Sequence, residues 1–189
     1  KKQSTEKKST ATKSKVQTAK TASKSIVKKA GAAKKSAPKA TSKVVSVGDK
    51  APDFTLQSDS HGEVVLSSFS GKKHVVLYFY PKDNTPGCTR QACAFQEAKS
   101  KFSKLNAVVI GVSPDNVKSH AKFREKFGLE FILVADEDHK VAESWGVWTL
   151  KKNYGKEYMG IQRATFIIDK AGVVTHTWPK VSVDGHDVE

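Results

Sequence analysis

The sequence predicts an α/β fold, a central sheet flanked by helices, on three observations. Short, continuous apolar runs rich in β-branched residues recur at residues 74–80, 107–113 and 131–136. Between them lie segments whose apolar residues return every third or fourth position, the mark of an amphipathic helix. Two late β-rich segments, "RATFIID" and "VVTHTW", are separated only by "KAG" and read as a hairpin. Strands that alternate with helices and end on a hairpin pack in layers around one sheet.

Taken in order, "HVVLYFY" at 74–80 is apolar throughout, as expected of a strand covered on both faces. A Pro-rich turn follows, and then Ala92, Phe95, Ala98, Phe102 and Leu105 recur at helical spacing. "AVVIGVS" at 107–113 is a second buried-type strand. "NVKSHAKFREKFG" at 116–128 is a second helix, ended by Gly128 because glycine accepts the left-handed backbone of a helix terminus. "FILVAD" at 131–136 supplies a third strand, "HKVAESWG" at 139–146 a short helix, and 163–169 with 173–178 the late hairpin. No internal repeat is visible.

The charge divides the chain. Of the formal net charge of +14 over 189 residues, +13 sits in residues 1–47, which hold fourteen lysines, no arginine and the single acid Glu6. Every Phe, Tyr and Trp lies beyond residue 47, so the Lys, Ala, Ser and Thr tail has too little apolar surface to offset the entropy of ordering. The expectation is a basic tail at 1–46, disordered in isolation, and one folded domain at 47–189. No apolar run nears the about 18 to 20 residues that cross a bilayer, and no signal-peptide core stands near the start, so a soluble protein with no membrane partner is expected. Lys1 in place of Met, and an ending "VDGHDVE" that reads as the start of a helix, suggest trimmed ends.

Fourteen lysines spaced through small residues would bind nucleic acid by releasing condensed counterions, without reading sequence and only at low salt. The tail resembles linker-histone tails in composition. A solvated linker, a nuclear-import signal or a solubility tail explains the same charge. The nucleus is the expected location, with cytoplasm or a bacterial nucleoid as alternatives. A plastid address fits less well, because transit peptides carry arginine and this tail has none.

Cys88 and Cys93 are the only cysteines, too few for a disulfide framework, which points to a reducing compartment and to thiols that are reactive or incidental. Cys88 falls where a strand, a turn and a helix meet. A cysteine on the first turn of a helix lies beside backbone N–H groups without intrahelical partners, where the dipole favours an anion, and thiolate is the nucleophilic form. Thr85 can set a hydroxyl beside the sulfur, and Pro81 and Pro86 fix the backbone on either side. Arg163, which opens the late strand "RATFIID", is the candidate cation to complete such a pocket. From the residues alone, Cys88 is equally a small buried hydrophobe and Arg163 a surface ion-pair partner. The six histidines show no ligand spacing, so no metal is expected. Trp145, Trp148, Tyr154 and Tyr158 read as core or rim packing, and Gly155 and Gly160 as loop turns.

"YFYPKDNTPGCTRQAC" resembles the active-site loop of peroxiredoxins, with their P-x-x-x-T-x-x-C motif at Pro81, Thr85 and Cys88. "SWGVW" and "YGKEYMGIQRATFIID" are similar to the block that carries the peroxiredoxin arginine, here Arg163. Cys93 stands at the second-cysteine position of the bacterioferritin-comigratory-protein and peroxiredoxin Q branch, many members of which have Glu where this chain has Gln91. The resemblance runs from about residue 47 to the end. It implies a thioredoxin-like fold with a central mixed sheet, and reduction of hydrogen peroxide and organic hydroperoxides. It further implies that Cys88 is oxidised to a sulfenic acid, that Cys93 condenses with it to a disulfide, and that thioredoxin or a similar dithiol protein recycles the enzyme. No cofactor is implied, and a monomer is what the branch suggests.

Five residues along one α-helix separate two side chains by about 7.5 Å in rise and about 140° in angle. Their Cβ atoms would stand on the order of 10 Å apart, against the ~3.5 to 4.5 Å of a disulfide, so the implied bond requires the first turns of the helix to unwind. Two other readings stay open. One is a chromatin-associated or nucleic-acid-associated redox sensor that uses the basic tail. The other, a general thiol–disulfide oxidoreductase, is disfavoured because the chain has no C-x-x-C.

Overall fold

The computed structural model describes residues 43–153 and 155–182. The tail expected to be disordered, up to residue 42, and the helix start expected within 183–189 lie outside the described residues. Among the described residues no helix is long and apolar enough to cross a membrane.

The apolar run at 74–80 forms the central strand β3 (His74–Phe79). Because side chains alternate across a strand, Val75, Leu77 and Phe79 enter one core, while Val76, Tyr78 and, just past the strand end, Tyr80 enter the other. A run with no polar face is therefore what a strand between two helical layers needs. β4 (Ala107–Ser113) lies parallel to β3, and β5 (Ile132–Ala135) parallel to β4. β8 (Ala164–Ile168) runs antiparallel on the other side of β3, and β9 (Val174–Trp178) antiparallel to β8. The turn between them is built by Asp169, whose Oδ1 accepts from the N–H groups of Ala171 at 2.8 Å and Val173 at 2.9 Å.

Helix α1 (Pro86–Glu97) packs on the Tyr78 face, with the Tyr78 and Phe95 ring centroids 4.6 Å apart. The helical pattern from Ala92 to Leu105 does not form one helix. It breaks at Ala98 and resumes as α2 (Lys99–Lys104), and Leu105, expected on the apolar face, is 70% exposed. α3 (Val117–Phe127) behaves as its ends predict: Asn116 Oδ1 accepts from Ser119 N–H at 2.9 Å, and Gly128 closes the helix at φ 62°. α4 (Lys140–Ser144) covers the opposite face with Val141 and Ala142, followed by Trp145, all in the first core.

Four strands were not expected. β1 (Thr55–Ser58) and β2 (Gly62–Val65) form an edge hairpin, which completes a seven-stranded mixed sheet ordered β2-β1-β5-β4-β3-β8-β9. β6 (Trp148–Asn153) and β7 (Lys156–Ile161) form a separate two-stranded ribbon, so Gly160 sits in a strand rather than a loop turn. These strands are short or mostly exposed and polar, and lack the apolar alternation that marks a strand packed on a core. The packed body also begins earlier than residue 47. Val45 is buried in the first core, and a side chain on Gly146, at φ 70°, would come within 2.6 Å of the Val44 Cα atom.

Candidate active site

Sheet topology brings the two separated sequence blocks together. β3 ends at Phe79 and releases the loop that leads to Cys88, and β8, antiparallel to it, pairs Ala164 with Phe79. Arg163 therefore emerges at the same end of the sheet from which the Cys88 loop departs, although 75 residues separate the two in sequence.

Cys88 is the third residue of α1, with Thr85 as N-cap and Pro86 as first helical residue. Proline suits that position because its missing N–H would have no intrahelical partner there. The N–H groups of Gly87 and Cys88 belong to the first turn, whose donors point out of the helix end. The sulfur is buried, 1% exposed, and Arg163, 8% exposed, donates from Nη2 to Cys88 Sγ at 3.1 Å. Its Nη1 donates to Gln91 Oε1, one turn further along α1. One planar guanidinium thus bonds the sulfur and an amide from the same helix, a fork that an ammonium cannot reproduce.

The remaining predicted residues are placed less directly. Pro81 and Thr85 are half-buried in the loop. The Thr85 hydroxyl, expected beside the sulfur, donates instead to the Lys82 carbonyl at 3.1 Å. Cys93 lies on α1 as expected, half-buried, and both cysteines are free thiols. Among the described residues no group of His, Cys, Asp and Glu could hold a metal ion.

Three polar residues of the site were not singled out as site residues from the sequence. Gln91 is 6% exposed, and its Nε2 is buried without a hydrogen-bond partner. The resemblance had marked this position, where many members of the branch have Glu, without assigning it a contact. Asp83 is buried in the loop itself. Although burial pushes its carboxyl up, the bond and charge of His120 and the bonds from Tyr80 and Ser119 hold it below the ordinary range. Lys151 on β6 is a second half-buried cation close enough to feel the sulfur; burial and repulsion by Arg163 push its ammonium down, against the attraction of Cys88. Nothing in the local sequence marks Lys151, because the ribbon that carries it is positioned by the fold.

Residues 47–177 match the AhpC/TSA family. A relative from Bacillus subtilis, "Peroxiredoxin Bcp", is 55% identical over 146 residues, covering 77% of this chain and 92% of that protein. A plant relative from Oryza sativa subsp. indica, "Putative peroxiredoxin Q, chloroplastic", is 45% identical over 136 residues, covering 71% of this chain and 59% of that protein. The solved bacterioferritin comigratory protein of Xanthomonas campestris, studied for its alkyl peroxide reduction activity, is 38% identical with a TM-score of 0.67, covering 71% of this chain and 85% of that one. These relatives are bacterial or chloroplastic and lend no support to the nuclear location expected from the tail, which lies outside the family match. The thioredoxin-like fold, the match over most of the folded body and the level of identity together place this chain in the AhpC/TSA family, in the branch of Bcp and peroxiredoxin Q.

Proposed function

We propose that this thiol peroxidase reduces hydrogen peroxide and organic hydroperoxides through Cys88, and that Cys93 resolves the oxidised cysteine within the same chain. The observation that carries the reading is the 3.1 Å bond from Arg163 to a buried sulfur on the first turn of α1. The Cys88 thiolate attacks the near oxygen of the peroxide; an S–O bond forms, the O–O bond breaks, and the departing oxygen takes a proton to leave as water or an alcohol. Negative charge moves from sulfur to the leaving oxygen, and Arg163 with the first-turn N–H groups lies where it can stabilise that charge at both ends of the path. Pro81 and Thr85 shape the loop, with Thr85 turning its hydroxyl toward peroxide or sulfur when substrate enters. The Cys93 thiol then attacks the sulfenic sulfur, the S–S bond forms, and water leaves. Thioredoxin or a similar dithiol protein returns two electrons and reopens the disulfide; no cofactor takes part, and one chain suffices.

Because Cys88 and Cys93 share α1 in the reduced form, the cycle requires α1 to unwind at its start. Amide exchange over residues 86–96 is expected to be slow in the reduced protein and much faster in the disulfide form. Equal protection in both would rule out the unwinding of α1. The reductant is tested by adding thioredoxin, its reductase and NADPH to peroxide-treated protein: two thiols per chain should reappear, and their failure to do so points to another dithiol donor.

The alternative, a redox sensor held on nucleic acid, rests on the fourteen lysines of the tail. In the peroxidase reading the division at residues 1–46 and 47–189 separates binding from catalysis, and the tail adds salt-sensitive, sequence-independent affinity. Deleting residues 1–42, which spares the packed Val44 and Val45, is expected to leave peroxide turnover within about twofold while removing retention on DNA at low salt. A truncated protein that loses turnover overturns this division.

A further inference from the structure

The carboxylate of Asp83 is fastened on every side. Oδ1 accepts from the Tyr80 hydroxyl at 2.7 Å, and Oδ2 accepts from the Ser119 hydroxyl at 2.7 Å and lies 2.9 Å from His120 Nδ1. The Asp83 N–H donates to Asp115 Oδ2 at 2.7 Å, and the Ser113 hydroxyl holds the same oxygen at 2.9 Å. With a carboxylate as acceptor, His120 donates from Nδ1. Burial and the neighbouring Tyr78 and Asp83 push the Tyr80 hydroxyl well above its ordinary range, so it stays a donor. All these partners belong to the end of β3, the end of β4 with its following loop, or α3, and none to α1.

Residues 84–86 are fastened differently. Asn84 has φ 55°, a left-handed backbone that asparagine tolerates better than most residues, and its Oδ1 accepts from Lys126 Nζ at 2.8 Å. Thr85 then starts α1 without a side-chain cap, and Pro86 contributes no N–H. An anchored residue, a turned backbone and an uncapped helix start thus stand in succession just ahead of the sulfur.

We propose that Asp83, held by His120, Tyr80 and Ser119, is a positioning residue for the peroxide reaction and the fixed end from which α1 unwinds when the disulfide forms, with the rearrangement starting at Asn84. This rests on the two-cysteine cycle proposed above. A buried carboxylate stripped of its donors is costly, so the anchor does not follow the helix as it opens. Cys88 meets Arg163 only while this end of the loop stays in place, and after reduction α1 rewinds from the same point.

The test uses the full chain carrying Asp83→Asn, Tyr80→Phe or Ser119→Ala, with two readouts. In the wild type, oxidation to the disulfide should release protection at residues 86–96 and leave the hydrogen-bonded amides of Asp83, Ser119 and His120 protected. In Asp83→Asn the release should spread to the amide of residue 83. Its second-order rate constant with hydrogen peroxide should fall about tenfold, while the first-order constant of disulfide formation changes less than about twofold. Tyr80→Phe and Ser119→Ala should show the same split on a smaller scale, and they carry the comparison if Asp83→Asn does not fold. A lower melting temperature with both rate constants unchanged, or changed equally, overturns the proposal in favour of a structural role. Wild-type protection lost equally at Asp83 and residues 86–96 overturns the fixed end. Protection retained at 86–96 sinks the two-cysteine cycle and the fixed end with it, and the peroxide rate constant of Asp83→Asn then decides the positioning role.

Discussion

Cys88→Ser is expected to abolish peroxide consumption, and Cys93→Ser to stop after one turnover unless an external thiol is supplied. The pair differs because the proposed cycle gives the two sulfurs different chemistry. Serine has no accessible oxidation state equivalent to a sulfenic acid, so the first variant loses the electron donor itself. The second still forms the S–O bond at Cys88 and lacks only the internal thiol that displaces water from it. One equivalent of peroxide should therefore convert Cys93→Ser to a species that dimedone traps, whereas the wild type should yield a disulfide with no free thiols. Full turnover by Cys93→Ser with thioredoxin alone would show that a reductant reaches Cys88 directly and would remove Cys93 from the cycle. Residual steady turnover by Cys88→Ser would reassign the nucleophile.

Arg163→Met is expected to slow the reaction of Cys88 with hydrogen peroxide by about 10²- to 10³-fold, the range for deleting one preorganised donor to developing charge. Methionine roughly preserves the apolar stem and removes the guanidinium. Its loss leaves the sulfur at the end of α1 without the 3.1 Å donor, and leaves Gln91 Oε1 buried with no partner. Arg163→Lys is expected to recover only part of the rate, because a single ammonium cannot bond the sulfur and the amide oxygen in one plane. Stopped-flow measurement of the peroxide step separates this from any effect on Cys93. A loss smaller than about threefold in Arg163→Met would mean that the helix end alone stabilises the charge.

How far the molecule was legible in its sequence depended on which signal each element carries. β3, β4 and β5 are buried between two layers, so their apolar runs stand out in the chain. α3 has both a capping Asn116 and a terminating Gly128, and its bounds follow from them. β1, β2, β6 and β7 carry weak signals because they are short or face solvent, and their polar residues match those of loops. Asp83 and Lys151 escaped for another reason, and Gln91 was marked only through the resemblance. A polar residue is informative only when it is buried, and burial is a property of the packed chain.

By itself, the order of residues determined the alternation of strands and helices, the basic tail, and a cysteine at the start of a helix behind a Pro-flanked loop. Each of these depends on neighbours within a few positions, through backbone angles, side-chain periodicity and charge. Tertiary structure decided that Arg163 meets Cys88, that Thr85 turns its hydroxyl to Lys82, and that Asp83 is clamped by α3. Those contacts join segments tens of residues apart or select among local rotamers, and only the antiparallel pairing of β8 with β3 and the closing of two cores around the sheet supply the distances that settle them.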